Sequence, residues 1–161
     1  MSGVIAVLDA NVLYPAALRD FLLQLATTRI YRAHWTAQIN EEWSRNLLAN
    51  RPDISADKLA LTVEMMARAV PGALVTGHEN LTANLDLPDT ALAPYGVSAV
   101  HPDDFIMMLV ELFPETVLAS ARACRSWLTK PTIGAGAYLT NLEKQGLVKT
   151  ATFLRTYIDV L

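Results

Sequence analysis

Cysteine is almost missing. Cys124 stands alone in 161 residues, which excludes an internal disulfide and a cysteine metal cluster and suits a reducing compartment. The three histidines, His34, His78 and His101, are widely separated, and no Cys/His spacing fits a zinc site. No apolar run approaches the ~20 residues of a membrane span, and the N-terminus lacks the basic flank and long apolar stretch of a signal peptide. A cytoplasmic chain without membrane contact is the expectation. Gly134 and Gly136 form no phosphate loop, because no strand precedes them and no Lys-Ser/Thr follows.

Positive charge is absent from residues 69–121, a window that contains Glu79, Asp86, Asp89, Asp103, Asp104, Glu111 and Glu115. Downstream, Arg122, Arg125, Lys130, Lys144, Lys149 and Arg155 meet only Glu143 and Asp159, while the first 68 residues are balanced. A net charge of -3 excludes a protein whose whole surface is a nucleic-acid footprint and leaves room for a local basic patch. The basic tail suits phosphates, an acidic protein partner or plain solvation.

With 52% hydrophobic residues, the chain is rich enough for one core or a core with a small appendix. Residues 4–8, Val-Ile-Ala-Val-Leu, read as a strand buried on both faces. Pro15 then suits a first helical turn, and Leu18, Phe21, Leu22 and Leu25 recur at helical spacing toward Thr28. Residues 30–35 form a second strand candidate. Thr36 can cap a helix striped by Ile39, Trp43 and Leu47 and stopped by Pro52. Ser55 can cap another, carrying Leu59, Val63, Met66 and Val70 and closed by Pro71 and Gly72. Residues 73–76 and 97–100 complete the strands. This alternation predicts a parallel α/β sheet with right-handed crossovers. Beyond His101 the alternation stops, and Pro114, Pro131 and Gly146 punctuate helices over 103–113, 115–128, 135–145 and 148 to the end. The predicted organisation is an α/β domain over 1–101 and a helical extension over 102–161. The pairs Met65-Met66 and Met107-Met108 read as core filling.

In an open parallel sheet ligands bind beyond the carboxyl ends of the strands, where Asp9 falls. Asn11, two residues on, can bond to that acid; the plainer alternative is that Asp9 or Asn11 serves only as a helix cap. With Ile39, Trp43 and Leu47 buried, a helical wheel at about 100° per residue sets Glu42 on the stripe's border and Glu41 nearly opposite. Glu42 is then expected to reach a cleft, and Glu41 to be solvated; a pair between Glu42 and Arg45 is the plainer alternative. Asp86 and Asp89 flank Leu87-Pro88 and read first as turn residues. Carboxylates converging at the sheet's carboxyl end would suit Mg²⁺ or Mn²⁺, ions able to activate water and stabilise an in-line phosphate displacement.

Val7-Leu8-Asp9-Ala10-Asn11-Val12-Leu13-Tyr14 resembles the opening of PIN-domain proteins, the fold of VapC-type toxin ribonucleases, and Glu42-Trp43-Ser44-Arg45-Asn46-Leu47 is similar to their second acidic motif. Ala93-Pro94-Tyr95-Gly96-Val97, His101-Pro102-Asp103-Asp104-Phe105 and Leu142-Glu143-Lys144-Gln145-Gly146-Leu147 look like extended bacterial members with a helical C-terminal region. The resemblance implies a PIN-like three-layer α/β/α domain with a short parallel sheet. It further implies a Mg²⁺- or Mn²⁺-dependent endoribonuclease, the toxin of a toxin-antitoxin pair. Asp9 and Glu42 would be catalytic metal ligands, Asp89 a weaker third, and Asn11 the group that orients Asp9. RNA is then the substrate, with an antitoxin protein and a second copy of the chain as partners.

The sequence departs from this pattern after Leu87-Pro88-Asp89. The family continues with an acidic Asp-Arg-His type motif, a helix and a strand, whereas Thr90-Ala91-Leu92 follows here, as though a βα unit of roughly 25 to 30 residues were absent. Its loss would remove the third acidic group, weaken metal affinity and turnover, and uncover apolar sheet surface. A catalytically impaired module acting by protein or RNA binding is therefore the alternative, and a DNA-directed or flap nuclease shares the same acidic logic.

Overall fold

The computed structural model describes residues 3–77 and 96–161. Asp86, Asp89 and His78 lie outside the described residues. Strand β1 (Val4–Val7) leads through a short helix α1 (Ala10–Leu13) and α2 (Ala16–Thr27) to β2 (Tyr31–Thr36). Helices α3 (Ala37–Asn50) and α4 (Ala56–Ala69) then lead to β3 (Leu74–Val75). The strands pair in parallel in the order β1-β2-β3, with Val4 opposite Tyr31, Val7 opposite His34 and Thr36 opposite Val75. The chain is thus α/β with a short parallel sheet, as the alternation predicted.

Both crossovers step in the same direction across the sheet, so right-handedness delivers their helices to one face. Burial follows that rule: Tyr31, Ala33 and Trp35 are buried on β2, while Arg32 between them is exposed. On β1 the outer residues Ile5 and Val7 are 56% and 69% exposed. The expectation that residues 4–8 are buried on both faces is therefore corrected, and among the described residues helices cover the sheet from one side. Residues 97–100, expected as a strand, form none, with Val97 and Val100 half exposed at 51% each. β3 keeps only two of its expected four residues.

Local chemistry explains most helix ends. Thr36 Oγ1 accepts the Ile39 amide at 3.2 Å, and Ser55 Oγ accepts that of Lys58 at 3.3 Å, each serving as the expected N-cap. Arg29 follows α2 in the left-handed region (φ 63°), donating its amide to the Ala26 carbonyl. Pro15 precedes α2 as its N-cap residue and has no side-chain acceptor to offer. Of each methionine pair only one member turns inward: Met66 is buried and Met65 is 59% exposed, Met107 is half-buried and Met108 largely exposed. Adjacent helical residues point about 100° apart, which corrects the reading of both pairs as core.

Four further helices make up the C-terminal region: α5 (Pro102–Leu112), α6 (Pro114–Trp127), α7 (Ala135–Lys144) and α8 (Val148–Arg155), followed by a 3₁₀ turn (Ile158–Val160). His101 caps α5 through Nδ1, 3.2 Å from the Asp103 amide. Helix α7 ends in a Schellman motif, where Gly146 at φ 86° lets its own amide reach the Glu143 carbonyl and that of Leu147 reach Leu142. Asp103 is only 4% exposed. Its Oδ1 accepts the Thr150 amide at 2.9 Å and the Thr150 hydroxyl at 2.7 Å, and its Oδ2 accepts the Lys149 amide at 2.8 Å. A carboxylate of α5 thus caps the N-terminus of α8 from 46 residues away, where the helix dipole also favours a negative charge. The basic tail is partly neutralised within the region, since Lys149 pairs with Asp104 and Arg155 with Glu143.

The two regions share one core. Helix α2 packs on β2, α6 and α7, Phe105 of α5 meets Tyr31 edge-on at 5.0 Å, and Cys124 Sγ lies 3.7 Å from the Asp20 carbonyl. Burial, with Asp20 nearby, pushes the Cys124 thiol from 9.0 up to about 12. The thiolate should be about a thousandfold scarcer than in the unfolded chain, so alkylation by iodoacetamide at pH 8 should slow by at least a hundredfold and recover in denaturant. Asp103→Ala should cost about 3 kcal/mol in chemical denaturation, because three donors lose their acceptor. Asp104→Ala, which breaks only an exposed ion pair, should leave the midpoint in place.

Candidate functional site

The Leu8 amide donates to the His34 carbonyl at 2.8 Å, carrying the β1–β2 ladder one residue beyond Val7 and leaving Asp9 at the carboxyl edge of the sheet. There the chain turns at once into the helical turn α1. Asp9 Oδ1 accepts the Ala10 amide at 2.7 Å, and its backbone carbonyl accepts those of Val12 and Leu13, both at 3.1 Å. Asn11 Nδ2 reaches Asp9 Oδ2 at 3.4 Å, a long bond that nonetheless ties down the second oxygen. The segment therefore both caps α1 and brings the Asn11 amide into contact with Asp9. An exposed carboxylate with one protein donor on each oxygen keeps lone pairs available for another ligand.

Helix α3 starts from the carboxyl end of β2 and packs beside α1, so the elements bearing Asp9 and Glu42 are neighbours. Glu42 does not sit on a half-buried border: it is exposed, as Glu41 is. The reason is that α3 turns Asn40 and Trp43 inward, leaving Ile39 and Leu47 only half-buried, so the buried stripe is rotated from the one expected. No salt bridge joins Glu42 to Arg45 among the described residues.

Residues that the sequence did not single out support this edge. Arg19 is 7% exposed and lies between three helices. Its Nη1 donates to the Leu13 carbonyl at 3.1 Å, at the end of α1, and its guanidinium stacks over Trp43 of α3 at 5.0 Å. Trp43 in turn donates its indole N–H to Asn40 Oδ1 at 3.1 Å. The helix that Asp9 begins and the helix that carries Glu42 are thus pinned by one cation. Burial lowers the Arg19 pKa against the pull of Asp20, 3.5 Å away, and burial likewise raises the Asp20 carboxyl above its usual 3.8. Gln145, from the last turn before α8, accepts the Leu18 amide with Oε1 at 2.8 Å. The C-terminal region thereby supplies the cap that Pro15 denies α2. An arginine inside an apolar helical stripe was a visible signal; a cap donated over 127 residues left none.

Asp9 and Glu42 are hard oxygen donors, of the kind a divalent cation such as Mg²⁺ accepts along with several waters. Among the described residues no group of three His, Cys, Asp or Glu side chains is placed to hold a metal. Asp89, the third implied ligand, lies outside the described residues. The donor set fits Mg²⁺ or Mn²⁺ in kind and is sparse in number.

Replacing Arg19 by Met keeps the volume and removes the charge. About 2 kcal/mol of stability should be lost through the Leu13 bond and the Trp43 contact. Asp20, whose folded pKa is already raised, would then lose the cation that opposes this shift and titrate higher. A raised carboxyl weakens the fold as pH rises through its folded pKa, so the deficit of the variant should narrow from pH 7 toward pH 4 in urea titrations.

No curated protein and no solved structure matches the chain. Residues 102–156, which begin with α5 and end with α8, match the VapC50 C-terminal domain, and this match over about a third of the chain supports a relationship to the VapC family.

Proposed function

We propose that the protein is a metal-dependent endoribonuclease of the VapC type, the toxin of a toxin-antitoxin pair. The observation that carries the reading is the VapC50 C-terminal match over residues 102–156, downstream of a parallel sheet with Asp9 at its carboxyl edge. Asp9 and Glu42 would hold Mg²⁺ or Mn²⁺, with Asp89 as a third carboxylate. A bound cation supplies a Lewis acid and a lowered pKa for water near the scissile phosphodiester. Asn11 donates to one oxygen of Asp9 and the Ala10 amide to the other, which orients the carboxylate before any ligand arrives. Arg19 bonds the last residue of α1 and stacks on Trp43 of α3, and so holds together the two helices next to these acids. The partners that go with this reading are RNA as substrate, an antitoxin protein as inhibitor and a second copy of the chain.

The sparseness of acids among the described residues favours a second reading, a catalytically impaired module that binds RNA or an antitoxin-like protein without cutting. Cleavage of single-stranded RNA with and without EDTA separates the two. Under the nuclease reading the wild-type chain cuts only with Mg²⁺ or Mn²⁺, Asp9→Asn abolishes cutting, and Asn11→Ala lowers it about 10- to 100-fold. Cleavage unchanged by Asp9→Asn would overturn the assignment, and binding without cleavage would select the second reading. Preference for branched DNA over RNA would replace both with a flap-type activity.

A further inference from the structure

At the end of the sheet opposite Asp9, a groove of about 680 Å³ opens between the start of β1, the α2–β2 turn and the α4–β3 turn. Arg29 and Arg32 line it, both exposed, and neither has an acidic salt-bridge partner among the described residues. No aspartate or glutamate is among its described lining residues. His34 stands on the same wall with Nδ1 lacking a hydrogen-bond partner. Arg29 and Arg32 are three residues apart, at most about 10 Å along an extended chain, so both guanidinium groups can serve one ligand.

Two terms compete in this groove. The carboxyl ends of α2 and α4 abut it, and each contributes roughly half a negative charge at most, largely confined to the last turn. Arg29 follows α2 directly and offsets that end. Arg32 lies on the strand, where no helix end accounts for it, so full positive charge prevails over the partial negative ends. Guanidinium forks on a groove without an acid among its described lining residues match phosphoryl oxygens in geometry and sign.

We infer that this groove is a second, non-catalytic site that binds phosphoryl oxyanions, either of a single-stranded RNA backbone or of a free phosphate compound. It does not depend on cleavage at Asp9. Substitution here is clean, because Arg29 occupies φ 63°, a conformation glycine adopts without strain, and Arg32 is an exposed strand residue. The R29G/R32Q double variant should therefore melt at or near the wild-type temperature.

Fluorescence anisotropy with labelled dodecauridylate in EDTA, repeated across salt concentrations, reads the RNA source, and calorimetry with inorganic pyrophosphate reads the free one. If the RNA backbone occupies the groove, the double variant should weaken dodecauridylate binding by about tenfold at low salt and reduce the salt slope by about 1.4, the release expected for two phosphate contacts on a single strand. If the source is a free phosphate, pyrophosphate should bind to wild type and not to the variant, while dodecauridylate binds neither. Binding of neither probe to the wild type, or affinities that the double substitution leaves unchanged, overturns the site. Intact, arginine-dependent binding in a chain that cuts no RNA would reject the nuclease reading and retain this one.

Discussion

Helix α2 has apolar side chains on nearly every side and must be enclosed. Leu18, Phe21, Leu22, Leu23, Leu25 and Ala26 are all buried, more than one sheet-facing stripe can account for. β2 takes one flank, and α6 and α7 take another. Each large side chain hidden in this way contributes on the order of 2 kcal/mol, so the C-terminal helices complete the α/β region's core rather than decorate it. Arg19, caught in the same enclosure, has to find partners within it, and finds the open carbonyl of α1 and the face of Trp43.

From that constraint follows the placement of the candidate site. Enclosing α2 fixes where α1 ends and how α3 lies across it, and those two helices start from the carboxyl ends of β1 and β2. Asp9 consequently stands at that edge, and α3, which carries Glu42, packs beside the helix that Asp9 caps. The opposite edge collects the turns that return the chain to the sheet, and there Arg29 and Arg32 line the groove. The strand direction thus sets Asp9 and the two arginines at opposite ends of the sheet. Between them lies a sheet with one dry face and one, marked by Ile5 and Val7, open to solvent.

The C-terminal helices hold together by a different chemistry. Asp103 is a buried charge, costly to desolvate, yet it receives three donors, two of them amides in the first turn of α8. Capping one helix from another fixes their relative placement more narrowly than apolar packing does, because a hydrogen bond tolerates little displacement. Gln145 repeats the device between regions, with its own amide braced by Asn141 at 3.1 Å.

Helical periodicity, the caps at Thr36 and Ser55 and the breaks at Pro71, Pro114 and Gly146 were legible in the sequence, because they depend on neighbours within four residues. So was Asp9, since an acid that ends an apolar strand is marked by position alone, and so was its contact with Asn11. The same local reading misjudged the second face of β1, the strand at residues 97–100 and the exposure of Glu42. Each of these turns on what another element covers, and an apolar run looks alike whether or not anything packs on it. Arg19 over Trp43, Gln145 on α2, Asp103 on α8 and the pairing of Arg29 with Arg32 in one groove belong wholly to the tertiary structure. Their partners lie in other elements, and only the packing of α2 between the sheet and the C-terminal helices brings most of them within reach.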